Sequence, residues 1–448
     1  MEPPNGGYGW ICTACVALIN AHTWGLNSSY GVFLAHYLAN DTYPGATSLQ
    51  FALIGSLSIS LSMLVSPLAT ICTRKYGTRV TLYIGVVLEA ASLICASFST
   101  RIWQLFLTQG VLFGVSMGFL FVPSAGVIPQ WFTSKRSLAN GIASAGSGMG
   151  GLLYALVSGV AMRRLGVPWT YRILGIVSFV VTAVCSALVR DRHAAVGSSQ
   201  NAFDTRILRR FEYGLLAAFG WFSILGYIVL IFSLANYANH IGLSASDGAL
   251  VSAMLNMGQG IGRPLIGYFS DVSGRINMAL LMTVACGVLV FGVWIPAKSL
   301  GVLVFFAICG GAVAGTFWAT IPPVTAEVVE LADVPSALNL MWLLIVPPAM
   351  GSEMIAMQIV ASTGRYIGAQ VFVGSMYMAA AVSLIMLRGW KIGVEEEKKG
   401  LGRGEKGLDS GETGLDKGEK VLAGEAEQAV KQVSWGNLLR LGCTPAKV

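Results

Sequence analysis

The chain is built from apolar runs about twenty residues long, separated by short polar breaks. Twenty residues of α-helix span the hydrocarbon core of a bilayer. Such runs fall at 8–36, 48–72, 79–99, 102–124, 138–162, 169–189, 213–238, 246–270, 276–296, 300–322, 336–360 and 366–388, with edges blurred by glycine. In hydrocarbon every backbone N–H and C=O must be satisfied within the protein, so each run predicts a helix. The expected class is an all-α membrane protein with twelve transmembrane helices. Only 11 % of the 448 residues are charged, against about 25 % in soluble domains. The first run lacks a basic flank and is longer than a signal-peptide core of about 7–15 residues, so it is read as a span.

An even number of spans puts both chain ends on one side. Loops on that side carry Arg74, Lys75, Arg79, Lys135, Arg136, Arg190, Arg192, Arg206, Arg209, Arg210, Arg275, Arg388 and Lys391, while the opposite loops carry Arg101, Arg163, Arg164, Arg172, Lys298 and Arg365. The richer side is cytosolic by the positive-inside bias, and the plasma membrane is the expected location. Asn40-Asp41-Thr42 then lies outside, where Asn40 is an N-glycosylation acceptor.

The longest polar break in the apolar body is 190–212, with six runs on each side. This divides the chain into an N-terminal six-helix bundle (1–189), a cytosolic linker (190–212), a C-terminal six-helix bundle (213–390) and a cytosolic tail (391–448). The tail holds ten acidic and ten basic residues, so 1–390 carries the net charge of +7. The tail has too few apolar residues to form a core and is predicted to be disordered. "WGNLLRL", 435–441, is read as a frayed terminus in preference to a membrane-surface helix.

The two bundles share a local pattern. "RKYGTR" (74–79) follows the second run and "GYFSDVSGR" (267–275) follows the eighth. Internal repeats of this kind accompany midplane binding sites in transporters. In "QWFTSKRSLANGIASAGSGMGG" (130–151), Lys135 and Arg136 hold the loop at the cytosolic face, within reach of acids or phosphate headgroups. The helix that follows presents Gly141, Ala143, Ala145, Gly146, Gly148, Gly150 and Gly151, and the fourth run presents Gly110, Gly114 and Gly118. Lipid offers little hydrophobic drive for helix association, so close backbone packing of small residues takes its place. Such faces serve static packing or helices that rock.

These segments carry a resemblance. Gly267, Asp271, Gly274 and Arg275 match the G-x-x-x-D-x-x-G-R loop motif of the major facilitator superfamily. In the first half Arg74 stands at the aspartate position, while Gly77 and Arg79 remain. "PNGGYGW" (4–10), with Asn5 in place of an acid, and Phe132, Lys135, Arg136, Leu138, Ala139, Gly141, Ala143, Ala145 and Gly146 resemble the monocarboxylate transporter family, fungal branch. The resemblance implies the major facilitator fold of two six-helix bundles, with solute bound between them.

Ionisable groups inside spans are costly and mark functional candidates. Arg263 lies in the eighth run, with Gln259 and Asn256 four and seven residues earlier on one helix face. A planar guanidinium in a cavity matches a carboxylate; the alternative is a strut to a neighbouring helix. The family places an arginine here, but its proton-linked members have an aspartate where this chain has Gln259 and a lysine where it has Ser28. A neutral cavity from His22, Asn27, Ser28, Asn256 and Gln259 suits a larger, less charged solute. Glu89, Glu353 and His22 are the proton-coupling candidates, against a structural hydrogen-bonding role. Glu327, Glu330 and Asp333 are expected partners for loop cations, and Asp271 with Arg275 reads as a gate. Cys12-x-x-Cys15 reads as two small apolar residues, with no metal expected.

No G-x-x-x-x-G-K-[ST] loop and no nucleophile–base arrangement is present, so neither ATP drive nor an enzyme is expected. The expected function is secondary active transport of a small organic solute by alternating access. The solute is an organic anion taken up, or a secondary metabolite exported, and a non-transporting nutrient sensor is the alternative. The expected partners are a small-molecule solute, membrane lipid and protons; no cofactor or nucleic acid is expected.

Overall fold

Helix boundaries follow from where the chain can no longer continue as a helix. In the computed structural model, which describes residues 5–192, 201, 203–405, 439, 441–444 and 446, those boundaries leave helices and no strand among the described residues. Among the described residues, eight helices are long and apolar enough to cross a membrane, or nine when the pair Leu53–Leu64 and Ser66–Tyr76, bent by 42°, counts as one. Three further spans have physical reasons for escaping that count. The helix Arg136–Leu188 is two spans folded at Gly166, whose φ of 79° breaks the helix two residues before Pro168. The first span is divided by a π-turn at Ala21–Gly25 and a break at Ser29. The helix Ala245–Ser273 is long but polar, with Asp247, Asn256, Gln259, Arg263 and Asp271.

The twelve spans are therefore α1 (8–39), α2 (48–76), α3 (Thr78–Ala96), α4 (102–125), α5 (136–165), α6 (167–188), α7 (Phe211–His240), α8 (Ala245–Ser273), α9 (275–294), α10 (300–328), α11 (334–363) and α12 (Ile367–Glu405). The two motif loops end their helices in the same way: Gly77 (φ 86°) parts α2 from α3, and Gly274 (φ 101°) parts α8 from α9. Leu153, Leu156, Ile176, Val180, Leu281 and Val288 are each more than half exposed, the apolar belt that a bilayer covers.

The core is uneven between the halves. One large cluster occupies α7–α12 and also takes in Ile59 and Met63 of α2 and Phe121 and Ala125 of α4. The remaining clusters lie within α1–α6. Both described ends of the chain lie at one end of the bundle. Asn5 accepts from the backbone N–H of Thr133 (2.6 Å) and Ser134 (3.0 Å), and Trp10 packs edge-on against Phe132 at 4.9 Å. The two segments that carry the monocarboxylate resemblance thus touch. At the same end, Arg388 of α12 donates to the carbonyls of Gly442 (2.6 Å) and Ala446 (2.8 Å), and its Nε donates to Asn277. Residues 193–200 and 202 of the linker, and 406–438 of the tail, lie outside the described residues.

Hydrogen bonds between the halves are one-sided. Asn140 donates to the carbonyls of Trp318 and Ala319 (3.3 and 2.7 Å). Ser66 and Thr70 bond Asn339, and Arg275 donates to Thr133 O at 2.6 Å. Asp271 accepts from the backbone N–H of Ser137 (3.0 Å) and Leu138 (2.9 Å), the first turn of α5. All of these lie from mid-bundle toward the end that carries the termini. None joins the halves at the far end among the described residues. The protein is closed at one end and pinned there.

Asp271 satisfies two N–H groups that the α5 terminus leaves without helical partners, and its charge meets the positive end of the helix dipole. Removing a cap costs about 1–2 kcal/mol. Asp271→Ala should therefore raise hydrogen exchange at the Ser137 and Leu138 amides by roughly five- to thirty-fold, while leaving α9 amides unchanged. Unaltered exchange at those two amides would show that the cap does not hold the closed end.

Candidate functional site

Close backbone contact sets the geometry of the site. A Cβ on Gly148 of α5 would lie 2.6 Å from the Gly260 nitrogen of α8, and Gly141 and Gly267 likewise leave no room for a methyl group. The bare surface between α5 and α8 brings α8 side chains against both halves.

At the upper tier, Gly151 of α5 lies between Ser28 of α1 and Asn256 of α8; a Cβ there would meet their side chains at 3.1 and 3.2 Å. Ser28 is exposed, and Asn27 and Asn256 are half-buried. Asn27 accepts from Ser58 at 2.8 Å. All of these groups are neutral, and Asn27 and Ser58 line a cavity among α1, α2, α3, α4 and α6.

Below this tier lies an aromatic floor that sequence reasoning missed. Trp24 of α1 meets Trp318 of α10 at 5.1 Å and Phe121 of α4 at 5.4 Å. Phe121 meets Trp342 of α11 at 5.1 Å and Trp318 at 6.0 Å, and the two indoles stack at 6.0 Å. Trp24 and Trp318 are half-buried, whereas Trp342 is only 1 % exposed. Three of these ring pairs cross between the halves. No periodicity reveals such a layer, because its members come one by one from four helices.

Arg263 lies beside the floor at 2 % exposure. Its Nη1 donates to Ser144 O at 2.7 Å and to the Ser147 hydroxyl, both on α5. Its Nη2 donates to Gln259 Oε1 at 2.5 Å and to Tyr227 OH at 3.1 Å, and Tyr227 donates to Gln259 at 2.8 Å. Gly315, where α10 breaks, gives the guanidinium its space: a Cβ there would lie 2.6 Å from Nε. Arg263 and Gln259 are joined as their spacing predicts, with Asn256 a tier above. The strut geometry is what this state shows, since the arginine makes four hydrogen bonds, two of them to α5 of the other half.

The remaining candidates are dispersed. His22 bonds Tyr154 of α5. Glu89 is fully buried in α3 with both oxygens unbonded, while Glu353 of α11 accepts from Ser233 of α7 at 3.0 and 3.2 Å. Arg275 pairs with Asp271 at 3.6 Å and with Glu327, which also pairs with Lys391 at 3.6 Å. Among the acidic trio 327, 330 and 333, Glu327 thus takes loop cations. Lys135 is exposed, but Arg136 is buried and folds back onto Phe132 O at 3.0 Å. Arg74 is exposed and Arg79 donates to Val189 O at 3.1 Å. Asn40 is exposed at the far end, its amide on His36 O at 2.8 Å. Cys12 lies against Arg190 O at 3.6 Å.

Aromatic pairs contribute about 0.5–1.5 kcal/mol each beyond burial. Phe121→Ala removes two of the three cross-half pairs. It should weaken the closed end by about 1–3 kcal/mol and lengthen the distance between spin labels on the terminal-side ends of α2 and α11. An unchanged distance distribution would remove the floor as a closing element.

The Major Facilitator Superfamily description matches residues 10–342. The chain is 32 % identical over 88 % of its length to "Probable transporter MCH2" of Saccharomyces cerevisiae, covering 85 % of that protein. It is 35 % identical over 87 % of its length to "Uncharacterized transporter ESBP6" of the same yeast, of which it spans 60 %. It is 30 % identical over 73 % of its length to "MFS-type transporter hasB" of Aspergillus fumigatus, covering 77 % of it. Among solved structures, the E. coli fucose:proton symporter FucP superposes with a TM-score of 0.67 at 13 % identity, over 85 % of this chain and 98 % of that one. The proton:xylose symporter XylE gives 0.65 at 12 % identity, over 84 % and 94 %. At those identities the two structures speak for the fold, twelve helices in the arrangement described above. The chain belongs to the Major Facilitator Superfamily and is a multi-pass membrane protein, a secondary active transporter and not an enzyme.

Proposed function

We propose that the solute is an organic anion with a carboxylate head and a flat or bulky apolar body, exported across the plasma membrane. One observation carries this reading. The Arg263 guanidinium is buried at mid-bundle, and every partner it has is neutral. The ion pairs among the described residues all lie at the end carrying the termini. A buried cation without an anion is expensive, and a solute carboxylate is the anion that would complete it. Rocking of the halves must break the Ser144 and Ser147 bonds, freeing the two donors of Nη1 for that carboxylate.

The floor argues for the body of the solute. Trp24 and Trp318 offer flat apolar faces just under a neutral rim of Asn27, Ser28 and Asn256. Rings of this kind favour planar or bulky groups over a two- or three-carbon acid. The motifs that resemble the monocarboxylate family support a carboxylate; the neutral Gln259 and Ser28 support a metabolite larger than lactate. In this reading the termini, linker 190–212 and tail 391–448 face the cytosol, the bundles are 1–189 and 213–390, and Asn40 accepts glycan outside.

Labelled benzoate and lactate in proteoliposomes test the proposal. Wild type should exchange benzoate faster than lactate. Arg263→Ala and Arg263→Lys should each lower exchange by at least tenfold at normal membrane abundance, because an ammonium lacks the two-pronged geometry. Exchange surviving intact in Arg263→Ala would remove the anchor.

A further inference from the structure

Chain termini fray unless something ties them down, and here something does. The described part of 439–446 makes a single helical turn: the Cys443 N–H donates to Leu439 O at 3.2 Å and the Thr444 N–H to Leu441 O at 3.0 Å. One turn is not stable by itself in water, so the surface beneath must hold it. That surface is the junction of α9 and α12. Arg388 of α12 is 7 % exposed, and both its Nη groups end on the segment, at Gly442 O (2.6 Å) and Ala446 O (2.8 Å). Its Nε donates to Asn277 of α9, and Asn277 Nδ2 donates to the same Ala446 O at 2.7 Å. The end of a turn leaves carbonyls without helical partners, and a guanidinium offers donors in a fixed fork. Gly442 is buried against α12: a Cβ there would collide with Ile385 O, a backbone atom that cannot swing aside.

The docked segment sits beside the gate. Asn277 lies two residues after Arg275, in the first turn of α9, and Arg388 lies three residues before Lys391 on α12. Arg275 reaches across to Thr133 O of the other half at 2.6 Å and pairs with Asp271 and Glu327. Lys391 donates to Glu327 O at 3.0 Å and pairs with its carboxylate at 3.6 Å. The two helix ends that carry the gate cations are thus the two that the segment ties together. The bonds from Arg388 and Asn277 all lie within the second half, so rocking of rigid halves would not strain them. The segment acts through the first turn of α9, whose position sets where Arg275 points.

We propose that the C-terminal segment is a clasp: docked on α9 and α12, it fixes Arg275 toward Thr133 and holds this end of the transporter closed, and its release favours opening. The contacts that change are those of Arg275, and a segment can shift a conformational equilibrium only through contacts that differ between its states. Being covalently attached, the segment redocks at high effective concentration, so a few hydrogen bonds suffice to hold it. The clasp does not depend on the identity of the solute.

Hydrogen exchange on the full chain in lipid vesicles, without solute, tests the clasp. Wild type should protect the Cys443 and Thr444 amides, whose bonds form the docked turn. Gly442→Ala alters no residue of either bundle. It should raise exchange at those two amides by about tenfold or more, and at the Ser137 and Leu138 amides that Asp271 caps by about threefold or more. A chain ending at residue 438 should show the same rise at Ser137 and Leu138. Unprotected Cys443 and Thr444 amides in wild type overturn the docking. If Gly442→Ala keeps those amides protected, the methyl group has been accommodated and the shortened chain alone decides. Unchanged exchange at Ser137 and Leu138 once the segment is released or removed overturns its hold on the gate. A rise that extends through α7 overturns it too, because the loosening is then general.

Discussion

Backbone contact between α5 and α8 is the constraint from which the rest of the structure follows. Helices in lipid gain little by hiding apolar side chains from each other. Their cohesion comes from dispersion and hydrogen bonds at short range, which fall off within about an ångström of separation. Gly141, Gly148, Gly260 and Gly267 remove the side chains that would hold the helices apart. The closeness of those backbones lets Asp271 reach the first turn of α5 and lets Arg263 reach the Ser144 carbonyl. Both bonds depend on a separation that larger residues would not permit.

The chemistry of the site is a consequence of where that contact stops. Toward the termini the halves are joined by polar bonds; beyond Gly151 the flanking side chains, Ser28 and Asn256, are neutral. The aromatic rings separate these regions. A barrier of rings has a different character from a barrier of charges: it excludes water and ions, and it opens by sliding flat surfaces with little change in solvation. The arginine next to it holds a charge at low dielectric, where its interactions are strong. Its present partners are all neutral, and the two on α5 are a backbone carbonyl and a short serine hydroxyl.

Much of the fold could be read from the sequence, because span length and loop charge are set by the bilayer and not by tertiary detail. The positions of the twelve spans and the paired glycines Gly77 and Gly274 follow from local rules. The site was readable in part. Arg263 and Gln259 share a face by simple helical spacing, and the structure joins them. Their outward partners were not readable, since Tyr227, Ser144 and Ser147 come from other helices at no fixed spacing. Arg136 shows the opposite failure: as a loop cation it reads as a surface group, yet the tight turn after Phe132 buries it. Trp24 and Trp318 were invisible as a pair, because a tryptophan in a span reads equally well as lipid-facing.

The glycine-lined crossing also separates two kinds of evolutionary freedom. A surface made of bare backbone tolerates almost no substitution, so the hinge of the machine is frozen in composition. Asn27 and Ser28 of α1 and Asn256 of α8 lie at the edge of that crossing, where Ser28 and Asn256 flank Gly151. A lineage can therefore change its cargo by altering a few rim and floor side chains while the moving surface stays intact, which suits a scaffold that must follow a changing chemistry.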